Sequence, residues 1–297
     1  MYCDARDVQD ALADMVDNVL VRLEELEIDG ATLADEWNAI KNADNEEADF
    51  CTAVAKLGRD PYSLDAATTN LIATIGNRIQ PELLSDFLDA VDPESIQAGI
   101  MWIGKTSKKI KNLSAQPSPL MEQFKSALAG YAPSVARPWL LGWEQARRLR
   151  QAIGVTAEEP FEFDNVVVIT EEPNDDRGLL AFGGLTPKGG HALVATRDMP
   201  ETARRFATAR AVWRFAAANQ TRFLLTSAHA DKQKVERAFA TELLAPASGL
   251  ERFINGGVSA AFVDDLEEAA EHFRVSSYVI QHQVENQLGL EIATDLV

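Results

Sequence analysis

The strongest constraint in this 297-residue sequence is a change of period near its middle. From residue 1 to about residue 125, apolar side chains recur at three- and four-residue steps, interrupted at Asp29-Gly30, Gly58 to Pro61, Pro81 and Asp92-Pro93. That is the pattern of amphipathic helices with their usual breakers. Ala115 to Pro119 and Gly130 to Pro138 are rich in Pro, Ser and Gly, so a domain boundary is expected among them. Trp139 to Ile153 then reads as an Arg-rich amphipathic helix. Three short apolar runs follow, Asn165 to Thr170, Gly178 to Gly183 and His191 to Thr196, separated by turn clusters at Pro173 to Asp176 and Pro187 to Gly190. They predict strands of one small sheet, and the gap between the second and third suits an antiparallel hairpin but is too short for a crossover helix. Helices resume after Pro200, over Glu201 to Ala218, Lys232 to Leu244, Val263 to Phe273 and Ser276 to Leu288. The expected class is therefore α+β and predominantly helical, with an all-helical domain over 1–130 and a domain over 131–297 in which a small sheet packs on helices.

Charge narrows the functional classes. The chain carries 46 acidic and 28 basic side chains, a formal net charge of -18, and so cannot coat a nucleic-acid backbone with uniform positive potential. Within the first fifty residues 15 acidic side chains stand against 3 basic ones, a net -12. Val8, Leu12, Met15, Val19 and Leu23 keep helical spacing there, so the acids form either a solvated helix face or a contact surface for a basic partner. The apolar runs, such as Val166 to Ile169, fall far short of the roughly 20 residues that a membrane span requires. No basic segment leads into an apolar one at Met1, and the two cysteines, Cys3 and Cys51, are too few for a disulfide scaffold or a Cys-based zinc site. A cytoplasmic protein without membrane contact is expected.

The chemical motifs are mostly negative. Gly99-Ile100-Met101-Trp102-Ile103-Gly104-Lys105-Thr106 satisfies G-x-x-x-x-G-K-[ST] letter for letter. Its four central residues are too bulky for backbone N-H groups to surround phosphates, and Pro93 to Ala98 before it reads as helix rather than strand, so helix core is the better account. Lys105, Lys108, Lys109 and Lys111 form a basic patch that reads as a solvated helix end or a phosphate contact. No two of His191, His229, His272 and His282 are four residues apart, which leaves no histidine pair on one helix face for a metal. Glu268 with His272, and His282 with Glu285, read as surface helix pairs. There is no Gly-x-Ser-x-Gly elbow, and Cys51 sits in an acidic helical context rather than the electropositive one that a nucleophilic thiol requires. No cofactor is expected.

Three stretches of the second domain carry a resemblance. Arg205-Phe206-Ala207-Thr208-Ala209-Arg210-Ala211-Val212-Trp213-Arg214 is similar to an R-F-T-L-A-H-E-L-G-H helix. Ala238-Phe239-Ala240-Thr241-Glu242-Leu243-Leu244-Ala245-Pro246 is similar to an A-x-x-F-A-A-E-L-L-x-P segment, and Phe273-Arg274-Val275-Ser276 with Val279-Ile280-Gln281-His282-Gln283 to an F-x-V-S-x-x-V-I-x-H-Q helix. Together they resemble the ImmA/IrrE family of zinc-dependent endopeptidase-like proteins, bacterial and phage regulators that cleave or bind repressor-type transcription factors. The resemblance covers residues 139 to 297 well and 40 to 138 faintly, the latter through Gly58-Arg59-Asp60-Pro61-Tyr62. It implies a zincin-like second domain.

The same alignment implies that the chemistry has been removed. The two metal-binding histidines fall on Arg210 and Arg214, and the catalytic glutamate on Ala211. A guanidinium stays protonated and repels a cation, and a methyl group accepts no proton. The third ligand, an acidic residue, falls near Val235, with Glu236 one position off and about 100° around the helix. Glu242 matches a position taken as structural. The residues assigned to the former metal site are thus Arg210, Ala211, Arg214, Val235 and Glu236, with no catalytic residue and no metal. Arg210 and Arg214, on one helix face, need an anion. Either an internal salt bridge to Glu236 or a neighbouring carboxylate supplies it, or an acidic peptide does, such as the chain's own first fifty residues. The resemblance implies a non-catalytic regulatory or interaction protein with a protein partner, a repressor-type transcription factor or a toxin. Competing readings are an active metallopeptidase with unrecognised ligands and a DNA-binding regulator or antitoxin, although the acidic first domain argues against direct nucleic-acid contact.

Overall fold

The computed structural model describes residues 5–43, 45–61, 63–131, 137–163, 165–197, 199–254 and 260–293. Met1, Cys3, Tyr62 and the 132–136 part of the Pro-rich boundary stretch lie outside the described residues. The chain divides into two compact units, Met1–Ile72 and Ala73–Val297.

The first unit is helical. It contains α1 (Ala5–Glu25), α2 (Ala31–Asn42), α3 (Asn45–Lys56) and the start of α4 (Ala66–Arg78), which crosses the division. The breakers act as read: the Asp29 carboxylate accepts the Ala31 N-H at 3.0 Å as α2 begins, and Gly58 takes the left-handed conformation (φ 68°) just after α3. Val54 and Leu57 are its buried apolar side chains at the end of α3.

The second unit begins with α5 (Pro81–Leu88), α6 (Ile96–Lys111), α7 (Pro119–Leu128) and α8 (Pro138–Ile153). Three of these start on proline, whose missing N-H is of no consequence in a first helical turn. A four-stranded mixed sheet follows, with order β1 (Val168–Glu171), β3 (His191–Ala195), β2 (Leu179–Leu185), β4 (Arg222–Thr226). β1 runs parallel to β3, and β2 is antiparallel to both β3 and β4. The hairpin anticipated between the second and third runs is present, with Leu185 opposite His191. α9 (Glu201–Ala216), α10 (Asp231–Leu244), α11 (Ala247–Phe253), α12 (Val263–Phe273) and α13 (Ser277–Gln283) complete the unit, α13 ending in a π turn over Val284–Leu288. Two short parallel strands, β5 (Ala260–Phe262) and β6 (Glu291–Ala293), pair separately. The fold is α+β and mostly helical. No helix among the described residues is long and apolar enough to cross a membrane.

α6 covers one face of the sheet and α9 the other. A Cβ on Gly184 would stand 2.9 Å from Ile110 of α6, while His191, Phe215 of α9 and Phe223 stack edge to face in series, with centroids 4.7 and 4.8 Å apart. The P-loop-like residues lie within α6, where Gly99 meets the Phe87 ring and Trp102 donates to the Glu172 carbonyl at 2.7 Å.

The division between units falls at 72/73, whereas the change of sequence pattern placed it at 130/131. α5 packs on β4, α6 on β2 and β3, and α7 on α8 and α9. A two-faced apolar sheet needs a cover on each side, and α6 supplies the one that α9 leaves open. Period reveals where strands begin along the chain; it does not reveal which earlier helices share their core.

Candidate functional site

α9 is the buried centre of the second unit. From Ala207 to Ala216 every residue is buried, and a helix that is enclosed all round admits charge only where a partner waits. Arg210 and Arg214 sit one turn apart on its same side. α10 crosses opposite and places the fully buried Glu236 between them. Arg210 Nε donates to Glu236 Oε1 at 3.0 Å, its Nη2 to the same oxygen, and Arg214 Nε to Oε2. One carboxylate therefore bridges two guanidiniums, each oxygen taken by a different arginine.

Further donors of the pair reach neighbouring oxygens. Arg210 Nη2 reaches the Thr226 carbonyl at 2.9 Å; Arg214 reaches Gln220 Oε1 at 3.0 Å and the Leu224 carbonyl at 3.2 Å, while its plane lies 5.7 Å from the Phe223 ring centroid. A second buried carboxylate, Asp86 of α5, accepts from Arg214 Nη2 at 3.1 Å, from Gln233 Nε2 at 3.1 Å and from the Leu224 N-H at 3.4 Å. Two arginines and two carboxylates thus balance in charge while joining α5, α9, β4 and α10.

Two further cations rim the cluster. Lys232 Nζ lies 3.7 Å from Asp86, and its pKa is lowered by burial and then by the Arg214 charge. Arg237 donates to the Thr226 carbonyl at 3.0 Å and approaches His229; burial, then Arg210, lowers its pKa.

The structure brings together three of the five assigned site residues, Arg210, Arg214 and Glu236. Ala211 and Val235 are buried but contribute apolar packing. The Val235 backbone carbonyl faces α8, where it would be 2.3 Å from a Cβ on Gly142. Of these two neighbours, Glu236 is the one whose side chain meets α9. Of the two anions considered for the arginines, the internal carboxylate is the one present, joined by Asp86. Sequence reasoning missed Asp86, which lies 128 residues before Arg214. Its signal was slight: Leu83, Asp86 and Phe87 share the i, i+3, i+4 face of α5, so an aspartate stood on an apolar stripe.

Glu242 anchors a separate buried cluster. It accepts from Arg147 at 2.7 Å, Gln283 at 2.9 Å and Gln287 at 2.7 Å, tying α8, α10 and α13 together as a structural residue. The histidines are dispersed: His191 lies in the core, His229 beside Arg237, His272 against the Glu158 carbonyl, and His282 beside Tyr278. Among the described residues no three His, Cys, Asp or Glu side chains are placed to hold a metal ion. Arg210, Arg214 and Glu236 do not fit zinc, because the first two bring permanent positive charge and the third has both oxygens engaged. No protein-family model and no curated protein matches the chain.

Proposed function

We propose that this chain is a metal-free, zincin-like relative of the ImmA/IrrE family, a cytoplasmic pseudo-peptidase that regulates by binding a protein partner rather than cutting one. The observation that carries the reading is the bridge from Arg210 through Glu236 to Arg214. Two side chains one turn apart on one helix, met by a carboxylate from a later helix, is the layout by which two histidines and an acid hold zinc in that family. Here Arg210 and Arg214 share Glu236, the neighbour of the position on which the third ligand falls, with an ion pair in place of the metal. Ala211 stands where the proton acceptor would be, so neither ligand set nor base is left for peptide hydrolysis. What the family resemblance then supports is its binding role, with a repressor-type transcription factor or a toxin as partner.

The test is to rebuild the metal site. Wild-type protein freed of any tag is expected to contain less than about a tenth of a zinc per chain and to show no zinc-dependent rise in melting temperature. A variant combining Arg210→His, Ala211→Glu and Arg214→His is expected to take up one zinc, with Glu236 as third ligand. Stoichiometric zinc in the wild type would sink the metal-free reading. A folded triple variant, verified by circular dichroism, that ignores zinc would count against the zincin-like alignment itself.

A further inference from the structure

The charge cluster of α9 and α10 does not close on itself. Arg210, Arg214, Lys232 and Arg237 bring four positive charges to it, while Glu236 and Asp86 bring two negative ones. Two positive charges are left over, in a chain whose net charge is -18. Lys232 at least reaches Asp86, at 3.7 Å. Arg237 has no carboxylate at ion-pair distance among the described residues. Its Nη2 donates to the Thr226 carbonyl at 3.0 Å, its Nη1 stands 3.4 Å from His229 Nδ1, and its Nε meets no acceptor among them. The Thr226 carbonyl is already shared with Arg210. A carbonyl and an imidazole satisfy donors without cancelling a charge, so this half-buried guanidinium lacks the counter-ion that its desolvation calls for.

The arginines of the neighbouring elements are treated differently. On α9, Arg204 has Glu171, Arg205 has Glu162, and Arg210 and Arg214 share Glu236; on β4, Arg222 has Glu82 at 3.8 Å. Arg237 is the arginine of α10, and the carboxylates that bear on it and on Lys232 are Glu236 and Asp86, both already engaged. Beside it stands an exposed aromatic ring. Tyr278 of α13 lies within electrostatic reach of Arg237 and, at 73%, is the most exposed large hydrophobic side chain among the described residues. Arg and Tyr are the residue types in which binding energy concentrates at protein interfaces, the first through charge-assisted hydrogen bonds and the second through a flat apolar body that carries a hydroxyl.

We infer that Arg237 and Tyr278 form a recognition site for a carboxylate of the protein partner, an Asp or Glu side chain within an acidic segment. The inference deepens the pseudo-peptidase reading by giving the partner's chemistry, and it rests on that reading for the partner being a protein. Arg210 and Arg214 are closed to such a ligand by Glu236, whereas Arg237, one position further along α10, still has a donor free. A single open guanidinium matches a single carboxylate. A phosphate polymer would bring a row of negative charges to a chain that is itself acidic.

Fluorescence anisotropy of a labelled hexaglutamate peptide, blocked at both ends and titrated with the full chain at low salt, tests the site. The wild type is expected to bind hexaglutamate and to ignore hexaglutamine. Arg237→Gln is expected to weaken the binding at least about tenfold, Arg237→Lys to recover part of that loss, and Tyr278→Ala to weaken it as well. Arg237→Gln also removes a charge that Arg210 repels, so it is expected to melt no lower than the wild type, which separates lost binding from lost folding. Should it unfold, the exposed Tyr278→Ala decides. A wild type that ignores hexaglutamate, or an affinity that neither Arg237→Gln nor Tyr278→Ala changes, would overturn the site. Displacement of the peptide by inorganic phosphate at a concentration where acetate has no effect would overturn its assignment to a carboxylate. None of these outcomes involves zinc, whose content in the wild type decides the metal-free reading separately.

Discussion

At the scale of single residues, the most consequential side chain is Glu236, because two buried arginines depend on one carboxylate. Glu236→Gln keeps the shape and removes the charge, leaving two guanidiniums to share Asp86. Breaking a buried pair from one side costs about 3–5 kcal/mol, which for a domain of this size lowers the melting temperature on the order of 10 °C. Differential scanning calorimetry of the variant would read this, and a shift within about 1 kcal/mol would mean that the cluster contributes little net stability. His191 is a different case. It is buried, neither ring nitrogen has a hydrogen-bond partner, and burial, followed by the Lys125 charge, lowers its pKa to about 4 from 6.5. Glu122 opposes that shift. The unfolded chain takes up this proton before the folded one does, so the neutral ring leaves stability untouched above pH 6.5 and lowers it as pH falls from 6.5 toward 4. Urea midpoints of wild type and His191→Leu should therefore diverge with acidity, the variant losing less. Parallel curves would mean that the folded protein protonates His191 as readily as the unfolded chain does.

At the scale of elements, the helices were the most legible part of the sequence, and the reason is length. Pro138–Ile153, Glu201–Ala216 and Asp231–Leu244 each run over several turns and begin at a proline or an acidic first turn, so pattern and punctuation agree. β4 was missed because Phe223, Leu224 and Leu225 form a single apolar triplet between two helices, too short to show any period. β5 and β6 are three residues each and escape for the same reason. How closely helices cross is equally invisible to periodicity. α8 and α10 approach until a Cβ on Gly142 would sit 2.3 Å from the Val235 carbonyl and 2.7 Å from the Phe239 nitrogen, both backbone atoms that cannot rotate aside. Gly142→Ala should favour an isolated helix yet force α8 away from α10, which carries Glu236. A loss of about 1–3 kcal/mol in chemical denaturation is expected; unchanged or raised stability would show that the crossing relaxes freely.

At the scale of the molecule, the sequence pattern and the packing draw different boundaries, and the buried charge cluster explains which one a truncation must respect. The arginine pair and Glu236 were readable because they lie within 26 residues of one another and carry a family-like spacing. Asp86 was not, since only folding brings α5 to α9. A fragment from 131 to 297, cut where the sequence changes period, retains Arg214 but loses Asp86, Leu83 and Phe87 together with the α6 cover over Gly184. It leaves a buried guanidinium with one carboxylate for two arginines and a bare apolar sheet face. A fragment from Asp65 to Val297 keeps all of these and keeps α4 whole, including the Asp65 carboxylate that accepts the Thr68 N-H at 2.7 Å. The longer fragment is expected to unfold cooperatively with a melting temperature close to that of the same unit in the full chain, and the shorter one to aggregate or to bind hydrophobic dyes without a cooperative transition. A cooperative transition in the 131–297 fragment would show that α5 to α7 decorate a core that stands without them, and that Arg214 finds its charge balance in Glu236 alone.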